Sequence, residues 1–136
     1  MADFRKLEVW QKAHALALSV HKIAGRIRGA EYISLRSQMI SAATSIDANI
    51  VEGRGQKSDR QFSRFLHIAV NSANELESHL IMARDMEAMS NSDYLQLFTK
   101  LKHVRMMLHG LLNYLDGKKK TPLPRSSASD RKPEPD

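Results

Sequence analysis

The sequence predicts an all-α protein, an antiparallel up-down-up-down four-helix bundle, and three observations predict it. Apolar residues recur at steps of three and four in four separate segments, the connections between the segments are short, and helix-capping signatures precede the third and fourth segments. The 136 residues fit one domain. We expect helices over about 6–28, 32–53, 58–88 and 92–115, within a bundle domain of residues 1–116.

Each segment carries a continuous apolar seam, and at about 20 residues or more each would form a helix about 30 Å long. The seam residues, segment by segment, are Val9, Ala13, Leu16, Val20, Ile23 and Ile27; Leu35, Met39, Ala42, Ile46 and Asn49 or Ile50; Phe62, Leu66, Ala69, Ala73, Leu76, Leu80 and Ala83; and Tyr94, Leu97, Leu101, Val104, Leu108, Leu111 and Leu115.

The joints agree with this periodicity. Ser58 and Gln61 form a capping box at the start of the third helix, and Asp93 suits the first turn of the fourth. Gly29 is a plausible stop for the first helix. Gly53 and Gly55 are expected to supply the left-handed backbone that ends the second.

Residues 117–136 differ in composition from the rest of the chain. All four prolines lie there, and Leu123 is the one large apolar residue. Such a segment buries too little surface to offset the entropy of ordering, so we predict a disordered basic, proline-rich tail. Its lysine triplet would touch a polyanion or remain solvated.

Composition excludes several classes of protein. The chain has no cysteine, so disulfides, thiolate zinc sites and cysteine nucleophiles are absent. Its N-terminus lacks the apolar core of a signal peptide, and no apolar run is long enough to span a membrane. We expect a soluble cytoplasmic protein without membrane contact.

The chain is basic, with a net charge of +6 from 21 basic and 15 acidic side chains. Residues 1–115 contribute 15 and 11 of these, so the bundle is basic without its tail. This charge favours RNA or DNA as a partner, although many basic proteins bind neither.

An enzyme is not expected. The sequence has no glycine-rich phosphate loop, no His-Glu-x-x-His and no ordered Ser/His/Asp set. His14 and His21 lie two turns apart on one helical face, and Glu75, Glu77 and His79 do not have the Glu-x-x-His spacing of di-iron bundles. We predict no catalytic residues, no metal and no cofactor.

The apolar stripe is wider than one core needs, which favours a cyclic homo-oligomer over a monomer with a roomy core. The interface candidates are Trp10, Leu95, Phe98, Met106 and Leu112. The second helix also carries small residues that allow close approach by the third helix or by another subunit; they are Ser41, Ala42, Ala43, Thr44, Ser45 and Ala48.

The connection between the second and third helices is the main candidate site. Asn49 and Glu52 lie on or near the seam, so we expect them to be buried and to bond to backbone ends or to a basic residue such as Arg64. With Gly53 and Ser58 they would form a structural corner. The alternative is that Glu52 points into solvent. Four cations share this corner and suggest a phosphate site: Arg54, Lys57, Arg60 and Arg64.

A second cationic group on the fourth helix is a weaker candidate for nucleic-acid binding: Lys100, Lys102 and Arg105. Neither group has neighbouring aromatic residues suited to base stacking. The alternative for both groups is an ordinary solvated face.

Three stretches carry a resemblance to a known family: Phe4-Arg-Lys-Leu-Glu-Val-Trp-Gln-Lys-Ala13, Ser45-Ile-Asp-Ala-Asn-Ile-Val-Glu-Gly53, and Phe62-Ser-Arg-Phe-Leu-His-Ile-Ala69 with Asn74-Glu-Leu-Glu77. Over residues 4–115 the sequence resembles the bacterial four-helix-bundle proteins encoded in 23S rRNA intervening sequences. The resemblance implies a homopentamer with a basic surface. A related branch, the accessory variability proteins of diversity-generating retroelements, binds a reverse transcriptase and RNA.

The chain departs from the family pattern at Asp47, where the family usually has proline. Aspartate restores a backbone donor and adds a charge, so the second helix is expected to be straighter.

The predicted function is therefore that of a non-enzymatic oligomer that binds nucleic acid, RNA more than DNA, through its basic surface. It would serve as an accessory scaffold to a reverse transcriptase or to an rRNA-related process. The alternative is a protein–protein adaptor with no nucleic-acid role.

Overall fold

A computed structural model describes residues 3–119 of the chain. In that range the chain forms four α-helices and no strand: α1 (Glu8–Ala24), α2 (Ile33–Arg54), α3 (Asp59–Asp85) and α4 (Asn91–Lys119). Short 3-10 turns at Phe4–Lys6 and Ala30–Tyr32 precede α1 and α2. Each helix packs against two others, α1 on α2, α2 on α3, α3 on α4 and α4 on α1. The predicted four-helix bundle is confirmed.

The first helix ends earlier than predicted, at Ala24 instead of near residue 28. The amides of Arg26 and Ile27 bond to carbonyls three residues back, at 2.9 and 3.0 Å, which tightens the chain into a turn. Gly29 follows with φ 113°, a backbone conformation that glycine adopts without steric cost. Gly29 therefore redirects the chain into α2 and does not cap α1.

The starts of α3 and α4 are capped by serines. The Ser58 hydroxyl accepts from the amide of Gln61 at 3.2 Å, as predicted, and the Ser90 hydroxyl accepts from the amide of Asp93 at 3.0 Å. Between the two helices Glu87 takes φ 60°, while the amide of Ala88 bonds back to a carbonyl near the end of α3. This closure ends α3 at Asp85, three residues before its predicted end.

The fourth helix runs past its predicted end near residue 115 to Lys119. Residues 117–119 were assigned to the disordered tail, and that boundary is wrong, since no proline occurs before residue 122 and lysine propagates a helix well. The rest of the predicted tail, residues 120–136, lies outside the described residues.

The predicted seams form the core. Every seam residue is buried except Leu35, Asn49 and Leu111, which are half-buried. On α4 the neighbouring Leu112 is buried in place of Leu111. A helix turns 3.6 residues at a time, so a strict alternation of three and four drifts off the core after several turns.

Helices α2 and α3 pack at close range through small side chains. The hydroxyls of Ser45 and Ser72 lie 2.7 Å apart across the interface. Further along, a β-carbon placed on Gly53 would lie 2.9 Å from the ring of Phe62 and 2.9 Å from the Cβ of Phe65, closer than real side chains approach. The third helix is thus the close neighbour of α2 at Ser45, whereas Ser41, Thr44 and Ala48 of the same stretch are exposed.

The role expected of the two glycines is therefore wrong. Gly53 lies inside α2, Gly55 has φ −80°, and among the described residues Gly29 is the glycine with positive φ. Gly53 is required by the space between the helices instead of by backbone conformation.

Asp47 joins α2 to α1. Its Oδ1 accepts a hydrogen bond from the indole N–H of Trp10 at 2.7 Å, and its Oδ2 lies 3.0 Å from Nδ1 of His14. The His14 ring stacks on Trp10 with centroids 4.8 Å apart. The Phe4 ring packs edge-on against the indole, with centroids 5.1 Å apart. The Asp47 side chain is 20% exposed, so this polar link is largely shielded from water. Helix α2 runs without a break through Asp47.

We predict that Gly53→Ala lowers the free energy of unfolding by about 1–3 kcal/mol, because the added methyl group overpacks the α2–α3 contact. Gly110→Ala is the matched control: its β-carbon meets nothing within 4 Å, and alanine favours the helix by about 0.5–1 kcal/mol. Urea denaturation followed by circular dichroism measures both. Equal stability changes in the two variants would contradict the close-packing explanation.

We also predict that Asp47→Ala removes about 1–2 kcal/mol of stability, because it leaves the Trp10 N–H without its acceptor. Trp10 is the sole tryptophan, so its indole N–H resonance and its fluorescence report on this contact directly. Thr44→Ala, at an exposed position of α2, is the control and should leave both signals unchanged. An unshifted indole resonance in Asp47→Ala would show that the hydrogen bond does not form in solution.

Candidate nucleic-acid interface

The α2–α3 corner is built from the end of one helix and the start of the next. Arg54 is the last residue of α2, Lys57 lies in the connection, and Arg60 and Arg64 occupy the first two turns of α3. The connection encloses a cavity of about 400 Å³. Its lining residues are Arg54, Gly55, Gln56, Lys57, Ser58, Asp59 and Phe62.

Arg54 is anchored to the bundle. Its guanidinium carbon lies 5.8 Å from the centroid of the Phe62 ring, and its Nε is buried without a hydrogen-bond partner in the described part of the chain. The ring offsets part of the cost of burying this N–H group. Of the four corner cations, Arg54 is therefore the one whose charge is held inward.

Arg60 and Arg64 point away from the core and are exposed, as is Lys57. Within residues 3–119, none of the three lies within 4.0 Å of a carboxylate. Arg64 lies over the ring of Phe65, at 5.7 Å from its centroid. A groove of about 890 Å³ follows these turns of α3. It is lined by Ser58, Arg60, Gln61, Ser63, Arg64, His67, Ile68 and Asn71.

The structure does not show the predicted bonding of Asn49 and Glu52 to backbone ends or to a basic residue. Asn49 is half-buried, and its amide donates to the carbonyl oxygen of Ser45 at 2.8 Å and to the Ser45 hydroxyl at 3.1 Å. Glu52 is exposed and does not contact Arg64. Because Gly53 faces α3, the preceding residue is rotated by about 100° toward solvent. The expectation of a buried Glu52 is wrong, and the alternative of a solvent-facing side chain is what occurs.

The second cationic group is not one patch. Arg105 is half-buried and pairs with α3, with its Nη1 2.7 Å from Oε1 of Glu77 and 3.1 Å from Oδ1 of Asn74. Lys102 is exposed on the outer face of α4. Lys100 turns toward α1, where it lines a cavity of about 190 Å³. The cavity is lined by Lys12, Ala15, Thr99, Lys100 and His103.

Among the residues that line this cavity, only Lys100 was predicted from the sequence to be a site residue. Lys12 comes from α1, and Thr99 and His103 come from the α4 turns next to Lys100. Their place at the flank of two apolar seams is visible in the sequence, but which turn of α1 meets which turn of α4 is not.

The predicted interface residues divide into two groups. Trp10, Phe98 and Leu112 pack within the chain: Trp10 in the contact with Asp47, Phe98 stacked on Tyr94 at 5.8 Å, and Leu112 in the core. Leu95 and Met106 remain 50% and 62% exposed. Other large apolar residues that the prediction omitted are also exposed: Leu18, Ile33, Ile68, Met82, Met86 and Tyr114.

Residues 3–119 show no sign of a membrane span or a metal site. None of the helices found there is both long and apolar enough to cross a bilayer. The same residues contain no cluster of three or more His, Asp or Glu side chains placed to hold a metal ion.

Comparison with known proteins agrees with this architecture. No curated protein matches the chain. A crystal structure of a protein of unknown function from the S23 ribosomal protein family of Bacteroides thetaiotaomicron VPI-5482 is similar in fold, with a TM-score of 0.72 and 23% sequence identity. The match covers 76% of this chain and 97% of that one. The family model of the 23S rRNA-intervening sequence proteins matches residues 5–110. The chain belongs to the 23S rRNA-intervening sequence protein family.

Proposed function

We propose that the protein is a non-enzymatic oligomer that binds nucleic acid, RNA in preference to DNA, through the α2–α3 corner. The observation that carries the proposal is the exposure of Lys57, Arg60 and Arg64 without a carboxylate partner among residues 3–119. Arg60 and Arg64 line one groove, and Lys57 lines the neighbouring pocket of the connection. Unpaired cations are available to phosphates, whereas Arg105 is occupied by Glu77.

The preference for RNA rests on two points. The family's description refers to 23S rRNA. The corner, moreover, offers arginines and a helix start in place of an element shaped to enter a DNA major groove, which suits contacts to the phosphates of a flexible strand. A reverse transcriptase or an rRNA-related process is the setting that the family resemblance suggests for this binding.

Self-association would strengthen such contacts. Each copy of the chain brings one corner, so a closed ring repeats the corner around its axis and converts weak contacts into avid binding. Exposed apolar residues such as Leu95, Met106 and Tyr114 supply surface that a second copy could cover. We propose a homo-oligomer, a pentamer by family resemblance.

The exposed apolar residues also favour a second candidate function, that of a protein–protein adaptor. Met82 near the end of α3, Met86 just after that helix and Leu95 near the start of α4 form an apolar end of the bundle remote from the corner. Methionine-rich surfaces adapt to varied partners. The two candidates differ in salt dependence, because only phosphate contacts weaken steeply as salt rises.

We predict that Arg60→Glu/Arg64→Glu weakens binding of a short single-stranded RNA at least tenfold at low salt, by an estimate of about 1 kcal/mol or more for each reversed contact. The slope of log affinity against log salt should fall by about 0.7 for each lost contact. Fluorescence anisotropy at several salt concentrations measures both.

The control is Lys22→Glu/Arg28→Glu, which changes the net charge equally at the opposite end of the bundle. It should reduce affinity far less than the corner variant. Equal losses in the two variants would mean that overall charge, and not the corner, determines binding. An unchanged affinity and slope in the corner variant would remove the corner from the function.

We predict that native mass spectrometry and light scattering find an oligomer. Leu95→Glu/Met106→Glu should dissociate it, because the substitutions place charges in the apolar contact while they leave the core intact. Lys102→Glu, on the same face of α4, is the control for added negative charge. A wild-type chain that is monomeric at micromolar concentration would contradict the oligomer.

A further inference from the structure

The positive charge of the bundle is unevenly distributed. Helices α1 and α4 together contain seven Lys or Arg and three Asp or Glu. Helices α2 and α3 together contain five Lys or Arg and six Asp or Glu. The excess of cations therefore lies on α1 and α4, which pack against each other. Helices α2 and α3, taken with Lys57 in the connection between them, carry equal numbers of basic and acidic residues.

Some of the cations on α4 and just after α1 are neutralised by neighbours. Arg26 pairs with Asp93 at 3.3 Å, and Arg105 pairs with Glu77 at 2.7 Å. Lys12 and Lys100 have no carboxylate within 4.0 Å in the part of the chain that the structure describes. These two lysines come from different helices and line the same cavity.

The cavity is suited to an anion. Its lining combines two ammonium groups with the Thr99 hydroxyl and the His103 ring, and none of the described residues that line it carries a carboxylate. All four are hydrogen-bond donors to an oxyanion. Its volume of about 190 Å³ exceeds that of several water molecules at about 30 Å³ each, which leaves room for a phosphate group with some of its hydration.

The cavity opens to solvent. Lys100 is half-buried, whereas Lys12, Thr99 and His103 are exposed. Ala15 opens the cavity on the α1 side, where a longer side chain would fill it. Two like charges that share a cavity repel each other, and an anion between them converts that repulsion into attraction.

We propose that the cavity between α1 and α4 binds a phosphate group, held by Lys12, Lys100, Thr99 and His103. This site is separate from the α2–α3 corner and does not depend on it. The phosphate group belongs either to a free phosphate compound or to the phosphodiester backbone of a nucleic acid. The chemistry of recognition is the same for both.

The test titrates the full chain with inorganic phosphate and follows amide resonances by NMR. We expect saturable shifts, in the millimolar range, confined to the turns around Ala15, Thr99 and His103. Lys100→Gln should weaken phosphate binding about tenfold or more, since it removes a charge-assisted hydrogen bond. Lys102→Gln removes the same charge two positions away, outside the cavity lining, and should leave the affinity within about twofold.

Ala15→Leu provides a second variant that preserves net charge and fills the cavity. It should abolish the saturable shifts while circular dichroism shows an unchanged helix content. Absence of saturable shifts in the wild type overturns the proposal. So does equal weakening by Lys100→Gln and Lys102→Gln, or full binding by Ala15→Leu, because each of these results would describe general attraction to a basic surface.

A parallel titration with a short single-stranded RNA identifies the source of the phosphate. Shifts at the same turns that Lys100→Gln removes identify a phosphodiester ligand, and shifts with inorganic phosphate alone identify a small phosphate compound. Phosphate binding here with no RNA binding by the chain would remove the proposed function and leave this site standing.

Discussion

The contact of Gly53 with Phe62 and Phe65 determines how the rest of the bundle is arranged. A side chain at residue 53 would collide with the start of α3, so only glycine lets α2 and α3 meet there. The Ser45–Ser72 hydrogen bond maintains the short distance further along the pair. Small side chains bury less apolar surface than large ones. They allow the two backbones to approach closely, which adds many dispersion interactions. The close packing of α2 against α3 determines the position of the connection between them and of its cations.

The same contact explains why the corner cations differ from one another. Arg54 follows Gly53 directly and is drawn over the Phe62 ring that packs on that glycine. Arg60 and Arg64 lie on the far side of α3 from α2, so no carboxylate of α2 reaches them. A feature of packing thus separates one anchored arginine from two that remain available to a ligand. On the other side of the bundle, where α1 meets α4, no carboxylate of residues 3–119 lies within 4.0 Å of Lys12 or Lys100.

The seams and caps could be predicted because they follow from neighbours three and four positions apart. The close approach of α2 to the third helix also left a trace in the sequence, in residues such as Ala42 and Ser45. The prediction that Glu52 is buried was wrong because Glu52 lies next to the buried Gly53 in the sequence. One residue along a helix corresponds to a rotation of about 100°, which is enough to turn a side chain from the core to solvent.

Contacts between helices left no comparable signal. Asp47 lies 37 positions from Trp10, and Arg105 lies 31 from Asn74. Sequence spacing gives the face that each residue occupies but not the vertical offset of one helix against another. Lys12 and Lys100 converge for the same reason, and three cations of α4 that look alike in the sequence have three different environments. Such pairings depend on the whole packed bundle.

An even number of antiparallel helices has a topological consequence. The start of α1 and the finish of α4 lie at the same end as the α2–α3 connection, and Asp116 lines a cavity with Ser63 and His67 of α3. The last turns of α4 are thereby held beside the first turns of α3. An insertion in the α3–α4 connection, by contrast, would lie at the opposite end of the bundle from the groove that Arg60 and Arg64 line.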